Sequence, residues 1–550
     1  MLAVDHGSDD VRDTLFATAG CAVVVYLAFK QWEPWRLSIV IPLTVFPPVV
    51  LSLRLVESHG MMNATAVTFT TFFSILMASV AFYRLSPLHP LAKFHGPLQC
   101  KLTGFWMAWV ASRGKRHVYI QSLHERYGDY VRIGPNEVSI SDGTVISLIL
   151  NSPGWPKASG MSGRALHQDP LPLISLPDDA EHARRRRSWN RAFSSAAVKE
   201  YQPIVAQRAT QLIHALQEQQ GVVDLAQWMS YFTYDFMGDM AFGGGTEMLR
   251  DGDQDGLWAL LKDGMSTAVP FEHVPWLSHY ISHFPSMIRS LTKLRTLAFG
   301  RSQTRYNKGS NTRDLFYYLS NEDRADAEMP LVKVVISDAV LAIVAGSDTT
   351  AVTLGNIFYY LISNPQAYKK LQKEVDKHYP AGEDALNPKN YSHMPYLEAV
   401  INEAMRLYPA LPSGSMRTPA KDTGGQSIGH HYIPVGTQVR VHPYTIQRDP
   451  RNFSHPSLFW PDRWLIASGL LSHPEKIVHN SEALIPFSTG SRNCVGKNLA
   501  LLEMKMVTCH ILQRLEFRFA DAWDPRQWSE DLEDVFVSRM GQLPVVVQAR

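Results

Sequence analysis

The stretch Phe487-Ser-Thr-Gly490-Ser-Arg492-Asn-Cys494-Val-Gly496 carries most of the functional information in this chain of 550 residues. An apolar, helix-compatible run at residues 499–512 follows it directly. A cysteine just ahead of a helix has its thiolate favoured by free backbone N–H groups and by the positive end of the helix dipole. Glycines in such a loop allow backbone conformations and close approaches that a side chain would block. The loop therefore predicts a thiolate that ligates a metal beneath a flat cofactor.

The stretch resembles the haem-binding signature of the cytochrome P450 superfamily, F-x-x-G-x-R-x-C-x-G. Every fixed position matches, at Phe487, Gly490, Arg492, Cys494 and Gly496. The resemblance implies haem b (iron protoporphyrin IX) as cofactor, with Cys494 as the axial ligand of the iron and Arg492 beside a propionate. Thiolate ligation favours O–O cleavage. A lone cysteine is more often a small buried hydrophobe, but a full match at fixed spacing weighs against that alternative.

Length, charge and cysteine content set bounds on the architecture. A chain of 550 residues exceeds the usual size of one hydrophobic core, so we expect a large domain plus an additional segment. The formal net charge of +2 gives no electrostatic reason to expect a nucleic-acid partner. The cysteines (Cys21, Cys100, Cys494 and Cys509) form no paired pattern, which argues against a disulfide framework and fits a reducing compartment.

The first 86 residues are predicted to be a membrane anchor. Apolar runs cover residues 14–29, 37–56 and 64–83, and the last is long enough to cross a bilayer core. The acidic start at Asp5, Asp9, Asp10 and Asp13 argues against a cleaved signal peptide. Flanking lysines and arginines follow the positive-inside rule. We expect one to three transmembrane segments in the endoplasmic reticulum, with the catalytic part on the cytosolic face.

Residues 87–550 are predicted to form the catalytic domain. Prolines at 87, 90 and 97 make residues 86–97 a stiff hinge that resembles the proline-rich hinge of microsomal members of the family. Strands are expected within 131–141, around a Gly-Pro-Asn turn, and within 432–441. Most of the remainder up to about residue 416 is helical in pattern. The expected fold is mainly α with small β sheets, and the resemblance makes it a cytochrome P450 fold.

A long apolar helix is predicted at residues 331–362. Its middle, Ala345-Gly346-Ser347-Asp348-Thr349-Thr350, places a glycine, an acid and hydroxyls in an apolar pattern, which often marks a site. Thr349 can donate a hydrogen bond to the Ala345 carbonyl and so bend the helix, and the small residues would let it pass close over a haem face. The run resembles the oxygen-activating motif A/G-G-x-D/E-T-T, which implies that Thr349 hydrogen-bonds the oxygen and Asp348 supplies protons. An ordinary kinked core helix is the alternative for this run alone.

Two further motifs imply a structural role. Glu403-Ala-Met-Arg406 places opposite charges on one helix face, and Arg463 lies within Trp-Pro-Asp-Arg-Trp. Together they resemble the E-x-x-R and P-E-R-F elements of the family, with conservative departures at Asp462 and Trp464. The resemblance implies a buried Glu403–Arg406–Arg463 network beneath the haem that is structural and not catalytic.

Further basic residues resemble contacts to the haem propionates. His182-Ala-Arg-Arg-Arg186 resembles the W/H-x-x-x-R element, and Arg417 resembles the arginine beyond the E-x-x-R helix. Within the run 184–187 we expect Arg186 to face the cofactor and the other three arginines to be more solvated. Ordinary surface arginines are the alternative for either motif alone.

The resemblance covers about residues 87–540 and implies a membrane-anchored haem-thiolate monooxygenase. It would use O₂ to hydroxylate or further oxidise a lipophilic small molecule, with electrons from a separate NADPH-dependent P450 reductase. The hydrophobic N-terminus resembles that of fungal members in the biosynthesis of terpenoid-like secondary metabolites. Two alternatives stay open: a haem-thiolate isomerase or dehydratase on the same fold, and a non-catalytic haem-binding protein. The intact Asp348–Thr349 pair argues against the former, and a haem-binding protein would need no proton relay.

Overall fold

A computed structural model of the chain describes residues 6–254, 256–284, 286–309, 312–324 and 326–550. Asp5, part of the predicted acidic start, lies outside the described residues. The chain divides into two compact units, Met1–Gly104 and Phe105–Arg550. The predicted anchor at residues 1–86 falls within the first unit, and its boundary stays a prediction.

The first unit consists of apolar helices. They are α1 (His6–Trp32), α2 (Leu37–Ser52), α3 (Val56–Leu85) and α4 (Leu98–Leu102). The prolines at 42, 47 and 48 do not end α2, and Gly60 kinks α3 with a φ of 74°. Asp9–Trp32 and Leu37–Leu85 are long and apolar enough to cross a membrane, and Phe16, Phe46 and Phe82 expose their rings. This arrangement fits membrane anchoring.

The second unit is mainly helical. Its helices are α5 (Phe105–Ser112), α6 (Arg116–Tyr127), α7 (Ile146–Leu150), α8 (Ser159–Arg164), α9 (Asp179–Ala192), α10 (Ser195–Glu218), α11 (Leu225–Phe242), α12 (Met248–Asp251), α13 (Leu257–Ala268), α14 (Pro275–Ile281), α15 (Arg289–Lys308), α16 (Leu315–Leu319), α17 (Val332–Ser363), α18 (Pro365–His378), α19 (Pro395–Leu407), α20 (Pro443–Ile446), α21 (Asp462–Ala467), α22 (Lys497–Arg514) and α23 (Gln527–Asp531).

Short strands form small sheets in the same unit. The strands are β1 (Tyr130–Gly134), β2 (Glu137–Ile140), β3 (Val222–Asp224), β4 (Met416–Arg417), β5 (Gly425–Ile428), β6 (His431–Pro434), β7 (Gln438–Val441), β8 (Leu515–Phe519), β9 (Glu533–Val535), β10 (Val537–Arg539) and β11 (Pro544–Ala549). The largest sheet has the order β1-β2-β7-β4, and β3-β11-β8 forms another. β5 pairs with β6 and β9 with β10. Strands within 131–141 and 432–441 are therefore confirmed, as is the mainly α fold class.

The long helix α17 packs in the hydrophobic core of the second unit. It begins at Val332 and ends at Ser363, within one residue of the predicted bounds at each end. It is also long and apolar enough to span a membrane, but more than half of it is buried in the core of this unit. Gly346 packs against α11, where an added Cβ would lie 2.5 Å from Met237 Sδ. Gly346 thus makes room for α11. The expectation that Ala345 and Gly346 let the helix pass close over a haem face stays a prediction.

Candidate active site

The cysteine loop folds tightly ahead of α22. The Cys494 N–H donates to the Phe487 carbonyl at 2.9 Å. Gly490 has a φ of 78°, and a Cβ there would lie 2.2 Å from the Leu150 carbonyl oxygen, so glycine is required. The Cys494 side chain is exposed. Gly496, the residue before α22, and Lys497, its first residue, direct their N–H groups toward the Sγ.

The environment of Cys494 both disfavours and favours its thiolate. The protein atoms packed around the exposed thiol still desolvate it and raise the pKa of Cys494. Hydrogen bonds from the N–H groups of Gly496 and Lys497 and the charge of Arg186 lower the same pKa. The Sγ is thus accessible to a metal and already faces the donors that stabilise a ligating thiolate.

Arg186 and Arg492, both predicted as cofactor contacts, connect this loop to neighbouring segments. Arg186 on α9 donates to the main-chain oxygen of Asn493 at 2.9 Å and to its side-chain oxygen at 3.0 Å. Arg492 donates to the Leu176 carbonyl at 2.8 Å and to Asp179 at 2.5 Å. Both guanidinium groups therefore lie beside the cysteine and fix its loop against α9 and the segment that precedes α9.

Buried basic residues converge next to this loop. His182 and Arg417, which the sequence motifs suggested, are 6% and 2% exposed, and Lys157, which they did not suggest, is 6% exposed. Lys157 and Arg417 are bridged antiparallel partners, and the Lys157 Nζ donates to the Ser415 hydroxyl at 2.6 Å. We call Lys157, His182, Arg186, Arg417 and Arg492 the basic cluster.

Burial and mutual repulsion disturb the titration of this cluster. Burial, then the charges of Arg417, Arg492 and Arg186, hold the pKa of Lys157 well below its usual range. Burial and Arg492 lower the pKa of Arg417 to about 10, and the Arg417 Nε is buried without a hydrogen-bond partner among the described residues. Burial, then Arg492 and Arg186, lower the pKa of His182 to about 3.

The basic cluster fits the carboxylates of a haem. Asp179 is the carboxylate that faces it within the described residues, and Asp179 is already bound by Arg492. A buried cation without a counter-charge is costly, so the cluster is electrostatically incomplete until it binds an anion. The two propionates of haem b supply such charges. Lys157, His182 and Arg417 would hold them, and Cys494 would ligate the iron.

The basic run of α9 differs from the prediction at one residue. Arg184 and Arg187 are exposed as expected, but Arg185 is buried and forms an ion pair with Asp338 of α17. Arg185 also donates to the Leu171 carbonyl at 2.7 Å. The expectation that Arg185 is solvated is therefore wrong. Because Arg185 follows His182 by three residues, it shares the buried face of the helix.

The middle of α17 presents a threonine and an acid. The Thr349 hydroxyl donates to the Ala345 carbonyl at 2.7 Å, the hydrogen bond expected from the sequence. Thr349 is partly exposed, whereas Thr350 is buried and faces the core. Asp348 accepts a hydrogen bond of 2.6 Å from Tyr234 on α11, a contact that the sequence did not indicate. Thr349, and not Thr350, is thus the threonine available to a ligand.

The Glu403 network is complete within the protein. Arg406 donates two hydrogen bonds of 2.9 Å to Glu403, and Arg463 donates one of 3.0 Å. The Trp460 N–H and the Trp464 indole N–H also donate to the same carboxylate. Glu403, Arg406 and Arg463 have no exposed surface. The side chains of this network lie on two helices: Glu403 and Arg406 on α19, and Arg463 and Trp464 on α21.

Comparisons with known proteins indicate the same family as the sequence motifs. The sequence profile of the cytochrome P450 family matches residues 96–540. Cytochrome P450 monooxygenase FCK2 of Fusarium pseudograminearum is 34% identical over an alignment of 560 positions, which covers 98% of each chain. Cytochrome P450 monooxygenase orf5 of Eupenicillium brefeldianum is 32% identical over 467 residues, 84% of this chain and 91% of the relative. Tryprostatin B 6-hydroxylase of Neosartorya fischeri is 28% identical over 497 residues, 88% and 87% of the two chains.

Proposed function

Because this chain belongs to the cytochrome P450 family and so uses haem b, we propose that it is a membrane-anchored monooxygenase that oxidises a lipophilic metabolite. The observation that carries the proposal is the position of Arg186 between the cysteine loop and the basic cluster. This residue belongs to the basic cluster and also binds the cysteine loop through Asn493. One helix, α9, thereby joins the site for a metal-ligating thiolate to a site for paired carboxylates, which is the chemistry that haem b requires.

The proposed reaction inserts one oxygen atom into a C–H bond. Substrate, O₂, two electrons and two protons give the hydroxylated product and water. Bound haem supplies the iron at which O₂ is reduced, and the Cys494 thiolate favours O–O cleavage. Thr349 offers a hydroxyl on the accessible face of α17, and its neighbour Asp348 supplies a titratable group. Protons would pass from Asp348 to the oxygen held near Thr349.

Electrons, in this proposal, come from a separate NADPH-dependent P450 reductase in the endoplasmic reticulum membrane, with the catalytic unit on the cytosolic side. The apolar N-terminal helices support membrane attachment. The fungal origin of the relatives supports a role in secondary metabolism, with a terpenoid-like compound as our proposed substrate. The 6-hydroxylase among the relatives shows that hydroxylation occurs within this set of sequences.

Membrane attachment has a direct test. Deletion of residues 1–84 should release much of the protein from membranes while the haem spectrum is kept, because the apolar spans of the anchor are removed. Residual binding is expected from aromatic rings exposed on the second unit, at Phe105, Trp276 and Phe284. Complete loss of haem in the truncated protein would show instead that the N-terminal helices are part of the folded catalytic unit.

The decisive experiment measures the stoichiometry of turnover. The protein is expressed with a fungal reductase and a panel of terpenoid and polyketide substrates, and NADPH, hydrogen peroxide and product are quantified. Thr349→Ala should keep haem and NADPH consumption but form less product and more peroxide, since the hydroxyl near the oxygen is lost. The matched variant Thr350→Ala should be milder, because Thr350 is buried in the core.

Three results would contradict the proposal. Product formed without NADPH would point to a haem-thiolate isomerase or dehydratase, and haem binding without any turnover would point to a non-catalytic haem protein. The reduced, carbon monoxide-bound protein should show the red-shifted Soret band of thiolate ligation, and Cys494→Ala should not. An unchanged spectrum in that variant would remove Cys494 as the ligand.

A further inference from the structure

A buried tyrosine holds Asp348 from outside its own helix. The Tyr234 hydroxyl on α11 donates a hydrogen bond of 2.6 Å to Oδ1 of Asp348. Tyr234 is 1% exposed. The same interface contains the close approach of Gly346 to Met237, and Ser347 donates to the Thr233 carbonyl at 3.3 Å. Because the two core helices pack so closely, they fix the position of the phenol relative to the carboxyl group.

The carboxyl group of Asp348 also borders a cavity. Asp348 lines a space of about 570 Å³ between α11, α13, α17 and the β9–β10 hairpin. Lys262 of α13 and Arg539 of β10 line the same space, together with the carboxylates Asp224 and Asp531. The volume is enough for many water molecules, each of which needs roughly 30 Å³. Apolar side chains, such as Met265, Val352 and Val535, line the rest of the space, so its charged and polar groups are the part of the wall that can hold water.

The electrostatic surroundings of Asp348 come from several elements. Burial raises the pKa of Asp348 to about 6, near neutrality. The hydrogen bond from Tyr234 on α11 lowers this pKa, and so do the charges of Lys262 on α13 and Arg164 on α8. A carboxyl group that titrates near neutral pH can both take up and release a proton under working conditions.

We propose that Tyr234 is a positioning residue for proton delivery: it fixes one oxygen of Asp348, so that the other stays turned toward the cavity. In this arrangement the free oxygen of Asp348 would take up a proton from water in the cavity and release one toward the side of α17 that carries Thr349. One proton moves in each step, and no electron is transferred by these groups. The inference rests on the proposed monooxygenase function and adds a residue to it.

The primary test is an infrared titration that needs no turnover. The carboxyl signal of Asp348 is isolated in the full-length, haem-loaded protein as the difference between the wild type and Asp348→Asn, and its midpoint is followed with pH. Tyr234→Phe removes one hydroxyl and keeps the ring. Since the hydrogen bond from Tyr234 lowers the pKa of Asp348, its loss should move the midpoint to higher pH by about one unit.

A second measurement connects the titration with function. Product per NADPH is measured against pH, with the substrate that the product panel identifies. The pH at which this ratio falls by half as pH rises should shift upward by the same amount in Tyr234→Phe, since the protonated acid persists to higher pH. In an Asp348→Asn background, Tyr234→Phe should produce no further change, because the group that it positions is absent.

Tyr231→Phe is the matched control. Tyr231 lies on the same helix and is also buried, but its hydroxyl accepts a hydrogen bond from Gln227 at 2.9 Å and does not bond Asp348. This variant should leave both midpoints unchanged. Replacement of Tyr234 by 3-fluorotyrosine, a stronger donor of nearly the same shape, should move both midpoints downward and serves if Tyr234→Phe fails to fold.

The outcomes separate this inference from the proposed function. An unchanged infrared midpoint in Tyr234→Phe, or an equal shift in Tyr231→Phe, would overturn the positioning role. If Tyr234→Phe cannot be produced, an unchanged infrared midpoint in the protein with 3-fluorotyrosine at position 234 would overturn the positioning role. Absence of NADPH-dependent product from the wild-type protein would instead refute the monooxygenase proposal, while the infrared result would still report whether Tyr234 controls Asp348.

Discussion

The Glu403 network and the basic cluster are both groups of mostly buried charged residues, but they differ in what balances their charge. In the network, one carboxylate accepts five hydrogen bonds, three of them from Arg406 and Arg463. In the basic cluster, Lys157 and Arg417 are buried beside other cations, and Arg417 Nε has no hydrogen-bond partner among the described residues. The first group is complete within the chain, whereas the second is incomplete without an anionic ligand.

This difference separates structural charge from ligand-binding charge. Removing one partner from a buried, satisfied ion pair leaves the other charge uncompensated and is strongly destabilising. Removing a buried cation that has no counter-charge relieves a desolvation cost, and the loss appears only when the ligand is bound. Variants in the two groups should therefore affect different measurements: folding stability for the network, and retention of haem for the basic cluster.

The largest effect is expected for Glu403→Gln. This change removes the anion that two buried guanidinium groups share, so the free energy of unfolding should fall by about 3–5 kcal/mol. Denaturant unfolding and the yield of haem-loaded protein measure the loss. Glu181→Gln, in an exposed pair with Arg184, is the control and should cost less than about 1 kcal/mol. A Glu403→Gln protein as stable as the wild type would show that the network does not brace the fold.

Arg417→Met should affect the cofactor more than the fold. Loss of a charge-assisted contact to a carboxylate should weaken haem retention about tenfold. The free energy of unfolding of the haem-free protein should stay level or rise, because a buried cation with a lowered pKa is removed. Haem transfer to a haem-free globin measures the first quantity and chemical denaturation the second. Destabilisation comparable to that of Glu403→Gln would erase the contrast between the two groups.

Lys157→Met should have a smaller effect of the same kind, about threefold on haem retention, since lysine acts as a point charge and not as a bidentate fork. The wild type should release haem faster as pH rises, because Lys157, whose pKa is held low, loses its charge. The variant should lack this part of the pH dependence. Haem-transfer rates at several pH values check both statements, and identical pH profiles would exclude Lys157 from the propionate site.

The smallest effect is expected for Arg184→Ala. Arg184 belongs to the same basic run as Arg186, but it is exposed and paired with Glu181 on one helix turn. Stability should change by less than about 0.5 kcal/mol, and haem retention should not change. Thermal unfolding and haem transfer test this expectation. A loss of haem in Arg184→Ala would mean that the whole run, and not its inward face, holds the cofactor.

Features encoded by neighbouring residues were predictable from the sequence. The bounds of α17, the strands around residues 131–141 and the loop that precedes α22 follow from periodicity, prolines and glycines close to each element. The motifs around Cys494, Thr349 and Glu403 were recognisable because, within each motif, the key residues are separated by short, fixed spacings. Their catalytic and binding roles stay predictions, which the variants above test.

Contacts between distant parts of the chain were decided by the tertiary structure alone. Tyr234 and Asp348 are 114 residues apart, Arg185 and Asp338 are 153 apart, and Lys157 reaches Ser415 across 258 residues. No local pattern marks such pairs, since each side chain alone resembles an ordinary tyrosine, arginine or lysine. The helix that packs against another decides which face of that helix is buried and which side chains contact an acidic residue on that face. Local spacing thus specified the motifs, while packing selected the partners that set the charge and orientation of their side chains.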